Sequence, residues 1–257
     1  MNAFLKSGFA ALVACLAVGC KSGGTPPLNL GYEVISVTPH DTGSYTQGLQ
    51  IKDGRMFEST GQYGESSVRE LEMATGKVLR KRPFPASIFA EGLTLHDNEL
   101  WMLTWREKKA FVLEPDTFKQ LRTFPYEGEG WGLTSNGSQL IMSDGGSTLD
   151  FVSAKDFSVK KSVEVKDAGR TLRDVNELEF VKGAVFANIY RTDRIARIYA
   201  ESGAVTGWLD LSGLRGRLPE PNRAEAMNGV AYDEKTGHFW VTGKYWSLMF
   251  EIKLTAE

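Results

Sequence analysis

The sequence predicts an all-β protein. Three features carry that expectation: short segments of alternating apolar and polar residues, turn dipeptides between them, and hardly any stretch of helical periodicity beyond Tyr32. Tyr32-Glu33-Val34-Ile35-Ser36-Val37, Glu99-Leu100-Trp101-Met102-Leu103 and Met249-Phe250-Glu251-Ile252-Lys253-Leu254 are such segments. Asp53-Gly54, Asp97-Asn98, Asn136-Gly137, Lys182-Gly183 and Thr236-Gly237 are the expected hairpin turns.

The segments repeat. Gly48-Leu49, Gly92-Leu93, Gly132-Leu133, Glu177-Leu178 and Gly229-Val230 each open a strand, at spacings of 44, 40, 45 and 52 residues. A second strand follows each: Arg55 to Glu58, Leu100 to Thr104, Leu140 to Ser143, Ala184 to Ile189 and His238 to Thr242. Two more complete the first four units, as in Ala110 to Leu113 and Gln120 to Phe124. Four strands at such a period mark the blade of a β-propeller, here five-bladed. The fifth unit has only three strands by Leu254, so the N-terminal strand Tyr32 to Thr38 is expected to join it and close the ring, leaving no open edge. Leu214 to Met227, in the longest interval, is expected to be a loop or short helix above one face. A β-sandwich or an irregular solenoid is the competing architecture.

The N-terminus reads as an export signal. Lys6 precedes an apolar run from Phe9 to Val18, shorter than the roughly 20 residues that span a bilayer. Leu16-Ala17-Val18-Gly19-Cys20 resembles a bacterial lipoprotein box, with Cys20 lipidated; an ordinary leader cut nearby is the alternative. Either way, residues 1–20 lie outside the fold. Cys20 is then the last cysteine, so an internal disulfide is excluded. Residues 21–31, with Ser22, Gly23, Gly24, Pro26 and Pro27, read as a flexible tether, and residues 32–257 as the folded domain.

A net charge of −2 with interspersed signs argues against nucleic acid as a partner. His40, His96 and His238 show no ligand spacing, and the domain has no cysteine ligand, which disfavours catalytic zinc. Neither a G-x-S-x-G elbow nor a glycine-rich phosphate loop is present.

In a propeller the first strands of the blades line the axis, so equivalent residues at their starts ring one mouth. That ring reads Gln47, Glu91, Trp131, Asn176 and Asn228, with Tyr45 and Phe89 two residues before the first two. Residues ending the second strands form another: Thr60, Trp105, Asp144, Tyr190 and Lys244. Aromatics, amides, an amine and a carboxyl at equivalent positions describe a pocket with convergent polar groups rather than an inert channel.

Tyr45-Thr46-Gln47-Gly48-Leu49, Phe89-Ala90-Glu91-Gly92-Leu93-Thr94, Leu103-Thr104-Trp105, Gly130-Trp131-Gly132-Leu133, Asn176-Glu177-Leu178-Glu179 and Thr242-Gly243-Lys244 together resemble the plant-type glutaminyl-peptide cyclotransferases, which are five-bladed propellers. The resemblance spans Tyr32 to Leu254. It implies conversion of an N-terminal glutamine to pyroglutamate with loss of ammonia. Glu91 aligns with the family's catalytic glutamate, a general acid and base that Phe89, Trp105 and Trp131 would desolvate. Tyr45, Gln47, Phe89, Trp105, Trp131, Asn176, Tyr190 and Lys244 are implied to line the substrate pocket. Oxyanion donors are then available from the Gln47 and Asn176 amides, the two indole N–H groups and Lys244. Tyr190 stands where tryptophan is expected, and Tyr45 where phenylalanine is common. Glu58 is the rival carboxylate.

The implied reaction needs no cofactor and no metal, although the central channel leaves room for a structural cation. The expected partners are peptides or proteins that begin with glutamine. The domain is expected to be an exported monomer, held to a bacterial membrane only by its lipid; Lys21 suits the periplasmic side of the outer membrane in a host with two membranes. Two other readings use the same mouth: a metal-dependent lactonase recruiting Glu91, Asp144, Asn176 and Asn228, and a non-catalytic binding propeller.

Overall fold

The computed structural model describes residues 26–255, so the expected leader and the lipidation at Cys20 lie outside the described residues. The all-β expectation holds. Strand β1 (Leu28–Pro39) precedes a first sheet of β2 (Thr46–Lys52), β3 (Arg55–Thr60), β4 (Ser67–Leu71) and β5 (Val78–Pro83). A second contains β6 (Ala90–His96), β7 (Glu99–Thr104), β8 (Lys109–Leu113) and β9 (Gln120–Pro125). The third contains β10 (Leu133–Ser135), β11 (Leu140–Met142), β12 (Thr148–Val152) and β13 (Val159–Glu164), followed by a small hairpin of β14 (Lys166–Asp167) and β15 (Arg170–Thr171). Next come β16 (Val175–Val181), β17 (Ala184–Ile189), β18 (Arg194–Tyr199) and β19 (Val205–Asp210), then helix α1 (Ser212–Arg215). The last strands are β20 (Met227–Asp233), β21 (His238–Gly243) and β22 (Leu248–Thr255).

β1 joins these last two groups into one eight-stranded sheet. Its first residues, Leu28 to Leu30, pair in parallel with Gly207 to Leu209 on β19. From Gly31 to Pro39 it runs antiparallel to β22, with a bulge between Val34 and Ser36. The strand therefore begins at Leu28, four residues ahead of the expected boundary at Tyr32, because this segment pairs with an open edge of β19 and buries Leu30 against Leu209. The interval from Leu214 to Met227 contains the end of α1 and irregular chain, as expected.

The first strands of the sheets touch in a cyclic order, β2, β6, β10, β16, β20 and back to β2. One apolar cluster fills each gap between neighbouring sheets. Phe57 and Val68 meet Leu93 and Met102; Trp101 and Val112 meet Leu133 and Leu140; Ile141 and Leu149 meet Leu178 and Val185. Phe186 and Ile195 meet Val230 and Phe239, while Leu49 and Met56 meet Ala231 and Trp240. Complete burial of such a side chain contributes roughly 1.5–3 kcal/mol, so packing around the cycle offsets the missing disulfide.

Close approach of these strands needs small residues. A Cβ on Gly132 would lie 2.0 Å from the Asn176 carbonyl oxygen. At the equivalent place in the fourth unit stands Glu177, which instead reaches across the centre. Its carboxylate accepts the N–H of Leu49 at 3.2 Å and of Val230 at 2.8 Å, tying β16 to β2 and β20. Turn chemistry follows the sequence: Asp53-Gly54 has φ of 52° and 77°, and Asp97-Asn98 has 48° and 60°, as two-residue hairpins with both central residues left-handed require.

Candidate functional site

Four of the five inner strands begin with a break in register, and each break falls on a residue singled out in the sequence. Pairing steps from Thr46 to Gly48 past Gln47, from Ala90 to Leu93 past Glu91, from Val175 to Leu178 past Asn176, and from Met227 to Val230 past Asn228. A bulge frees the residue from the ladder and re-aims its side chain. A backbone clasp brings the second strands back to the same mouth: Trp105 N–H bonds Phe89 O, Tyr190 N–H bonds Asp174 O and Lys244 N–H bonds Ala226 O, each acceptor two residues before a bulged residue.

In the first unit that clasp is Gly61 N–H to Tyr45 O. The equivalent position is therefore Gly61, not Thr60, whose hydroxyl faces Ser67. A Cβ at Gly61 would meet the Phe89 ring at 2.4 Å, so only glycine fits, and the next residue, Gln62, enters the pocket instead with φ of 86°.

The mouth holds a cavity of about 270 Å3, lined by Tyr45, Gln47, Phe89, Glu91, Trp105, Trp131, Asn176, Tyr190 and Lys244, together with Gln62. Asp144 is exposed and accepts its own loop's Gly146 N–H. Asn228 lies behind the lining, donating to the Thr46 carbonyl at 3.0 Å. Glu91, Asp144, Asn176 and Asn228 thus do not converge as a lactonase-like site would need.

Inside the cavity Glu91 is only 4% exposed and accepts a hydrogen bond from Gln47 Nε2 on Oε1 at 2.8 Å. Burial holds its carboxyl well above the ordinary carboxylate range; Lys244 opposes that shift, and Glu129 and Glu107 add to it. The Lys244 ammonium lies 4.3 Å from the Tyr45 ring centroid and 5.2 Å from that of Tyr190. Burial lowers it to about 8, against the pull of Glu91 and Glu225. Phe89 and Trp105 pack at 5.4 Å between centroids, and Trp131 meets Tyr190 edge-on at 5.4 Å. The cavity thus places a proton-holding carboxyl and a readily deprotonated amine between aromatic walls. Asn176 Oδ1 is buried there without a hydrogen-bond partner among the described residues.

Two expectations change. The indole N–H groups are not free oxyanion donors: Trp105 Nε1 and Trp131 Nε1 both donate to Glu129 Oε2, at 2.7 and 3.1 Å. Glu129 escaped the sequence reading because it lies in a connection between strands. Glu58, the rival carboxylate, is wholly buried outside the cavity, accepting His40 Nε2 at 2.9 Å and the Thr46 hydroxyl at 2.7 Å. It is committed to an internal ion pair.

A larger cavity, of about 910 Å3, opens among the hairpin turns at the other ends of the inner strands. Its buried carboxyl, Glu179, is pushed up to about 8 by burial, but already accepts the Tyr232 N–H at 2.9 Å. The Gln50 carbonyl there accepts the Thr94 hydroxyl at 2.7 Å. These polar groups serve one another, whereas in the smaller cavity Asn176 Oδ1 has no hydrogen-bond partner among the described residues.

Fold and site together define an all-β protein with one buried carboxyl and one buried amine in an aromatic cavity. Residues 8–254 match the family model described as glutamine cyclotransferase. The chain is 38% identical over 226 residues to a glutaminyl-peptide cyclotransferase of Arabidopsis thaliana, covering 86% of this chain and 71% of that one. It superposes on the crystal structure of Myxococcus xanthus glutaminyl cyclase with a TM-score of 0.81 and 33% identity, covering 89% of this chain and 98% of the other. The chain belongs to the glutamine cyclotransferase family.

Proposed function

We infer that the protein is a glutaminyl-peptide cyclotransferase, closing the N-terminal glutamine of peptides and proteins to pyroglutamate and releasing ammonia. The observation that carries the mechanism is Glu91, a desolvated carboxyl facing a cavity of peptide-terminus size.

An α-ammonium titrates at about 7.7–8.0, and a carboxyl that burial raises well above its ordinary range takes its proton with a smaller penalty than an ordinary one. Ionised Glu91 accepts one proton from the bound α-ammonium and frees the nucleophile. The nitrogen attacks the side-chain carboxamide carbon, which lies in the same residue, so proximity is built into the substrate. As the C–N bond forms, the former carbonyl oxygen becomes an oxyanion, facing the Lys244 ammonium. Glu91 then gives its proton to the departing nitrogen and takes one from the ring nitrogen. The old C–N bond breaks, and ammonia leaves, removing the remaining proton from Glu91. No cofactor takes part. Tyr45, Phe89, Trp105, Trp131 and Tyr190 wall the substrate, and Gln47 steadies Glu91.

The cyclic contact order of the inner strands, with one apolar cluster per gap, supports a five-bladed propeller closed by β1. We further propose that the domain works as a monomer, exported and held by a lipid on Cys20 to a bacterial membrane, facing the periplasm where the host has two membranes. No described helix is long and apolar enough to cross a membrane.

Incubation of the purified domain with the dipeptide Gln-Ala should release ammonia and lower the peptide mass by about 17 Da, the ammonia lost in the ring closure. Glu91→Gln should abolish that release. Near-normal turnover by this variant would refute the mechanism.

A further inference from the structure

Glu129 belongs to neither ring read from the repeats, yet it joins two walls of the cavity. Trp105 follows β7 of the second sheet, and Trp131 precedes β10 of the third. Their indole N–H groups converge on one oxygen, Glu129 Oε2. The other oxygen accepts Arg106 Nε at 3.1 Å, and the Arg106 guanidinium lies 3.8 Å from the Trp105 ring centroid. Three donors, from chain following β7 of the second sheet and preceding β10 of the third, thus meet on a single carboxylate. Although partial burial favours its protonated form, the donations from Trp131, Trp105 and Arg106 outweigh that and hold Glu129 below the ordinary carboxylate range, so it stays ionised around neutrality.

We propose that Glu129 is a positioning residue that clamps the Trp105 and Trp131 indoles at a fixed separation, so that the glutamine side chain is held folded back on its own amine. This rests on the cyclotransferase reading. The physical need is specific to the reaction: a glutamine side chain in water samples extended rotamers, and ring closure requires the amine within van der Waals reach of the carboxamide carbon. An indole can turn about its two side-chain torsions unless its one polar atom is held. Packing holds one edge of each ring, Trp105 against Phe89 and Trp131 against Tyr190. The Glu129 carboxylate holds the other. With both N–H groups committed, the walls shape the substrate through their faces and donate nothing to it.

Glu129→Ala and Glu129→Gln separate this role from a general one. The Gln carbonyl oxygen still accepts from indoles, whereas Ala removes the clamp. Glu129 is partly exposed, with 37% of its side chain accessible, so both variants should fold, which a thermal melt checks. On Gln-Ala the alanine variant should lose about ten-fold or more in kcat, with KM changed less, because a misplaced wall spoils the reactive conformer more than it spoils binding. The glutamine variant should recover most of that loss. Independently of turnover, the chain has six tryptophans, and 1H–15N spectra resolve their indole N–H signals. The two assigned through Trp105→Phe and Trp131→Phe should move upfield and broaden in Glu129→Ala while the rest stay in place.

Wild-type kcat in the alanine variant, equal loss in both variants, or unmoved Trp105 and Trp131 signals would each overturn the clamp. Failure of the wild type to release ammonia would instead refute the cyclotransferase reading, and the indole signals alone would then decide whether Glu129 holds the walls.

Discussion

Gln47 donates its Nε2–H to Glu91 Oε1 at 2.8 Å across the boundary between the first two sheets, each residue set on its own bulge. The bond favours the ionised form of Glu91 and so limits how far burial can raise its pKa. Gln47→Leu removes it at similar volume. The acidic limb of the kcat/KM profile should move to higher pH, and activity at neutrality should fall by about ten-fold, less than the roughly 100- to 10,000-fold of a whole acid–base group because Glu91 itself remains.

Lys244 offers a second test. The proposed oxyanion needs an ammonium, and this one loses its proton near pH 8 rather than at its ordinary 10.5. Activity should therefore decline as pH rises through about 8. Lys244→Met should abolish that limb and cost about 100- to 1,000-fold in kcat, as loss of an oxyanion donor does. An alkaline limb that survives in the methionine variant would assign it to another group.

The buried pair of His40 and Glu58 makes a stability prediction. Burial opposes both charges, but the Glu58 carboxylate raises His40 above its ordinary 6.5, and His40 and Arg69 lower Glu58 below its ordinary 4.5. For histidine, a raised folded value means stability fully present below 6.5 and lost as pH rises through the folded value. For glutamate, a lowered one means stability present above 4.5 and lost as pH falls through the folded value. The pair thus contributes most between those limits. His40→Gln should lower stability there by about 3–5 kcal/mol in chemical denaturation, with a difference from wild type that shrinks toward alkaline pH.

Glu177 should matter to the fold and not to turnover. Glu177→Ala strands the buried N–H groups of Leu49 and Val230, at a cost of about 1–3 kcal/mol each. Thermal melts should show a large loss for Ala and a smaller one for Gln, which retains one acceptor. The folded fraction should keep its KM for Gln-Ala.

Much of the site was legible because the repeats give each residue a set of equivalents. Glu91, Asn176 and Lys244 occupy positions that alignment of the units identifies without coordinates. Gln62 was hidden because the first unit inserts Gly61 at the clasp and displaces the polar residue by one. Glu129 was hidden because its partners lie in chain beside two different sheets, and no local periodicity encodes a meeting of that kind. The early start of β1 at Leu28 depends likewise on a free edge of β19, more than 170 residues away. The class of fold follows from alternation and turns, which are local; these three features depend on where distant segments come to rest.

The bulges that start four inner strands separate chemistry from architecture. A residue skipped by the ladder can be exchanged without breaking a pairing bond, while its neighbours, such as Leu49 and Leu93, keep the sheets in register. The positions among these that line the cavity are therefore a natural cassette for redesign: new side chains at 47, 91 and 176 would alter what the mouth accepts at little cost to the scaffold that presents them.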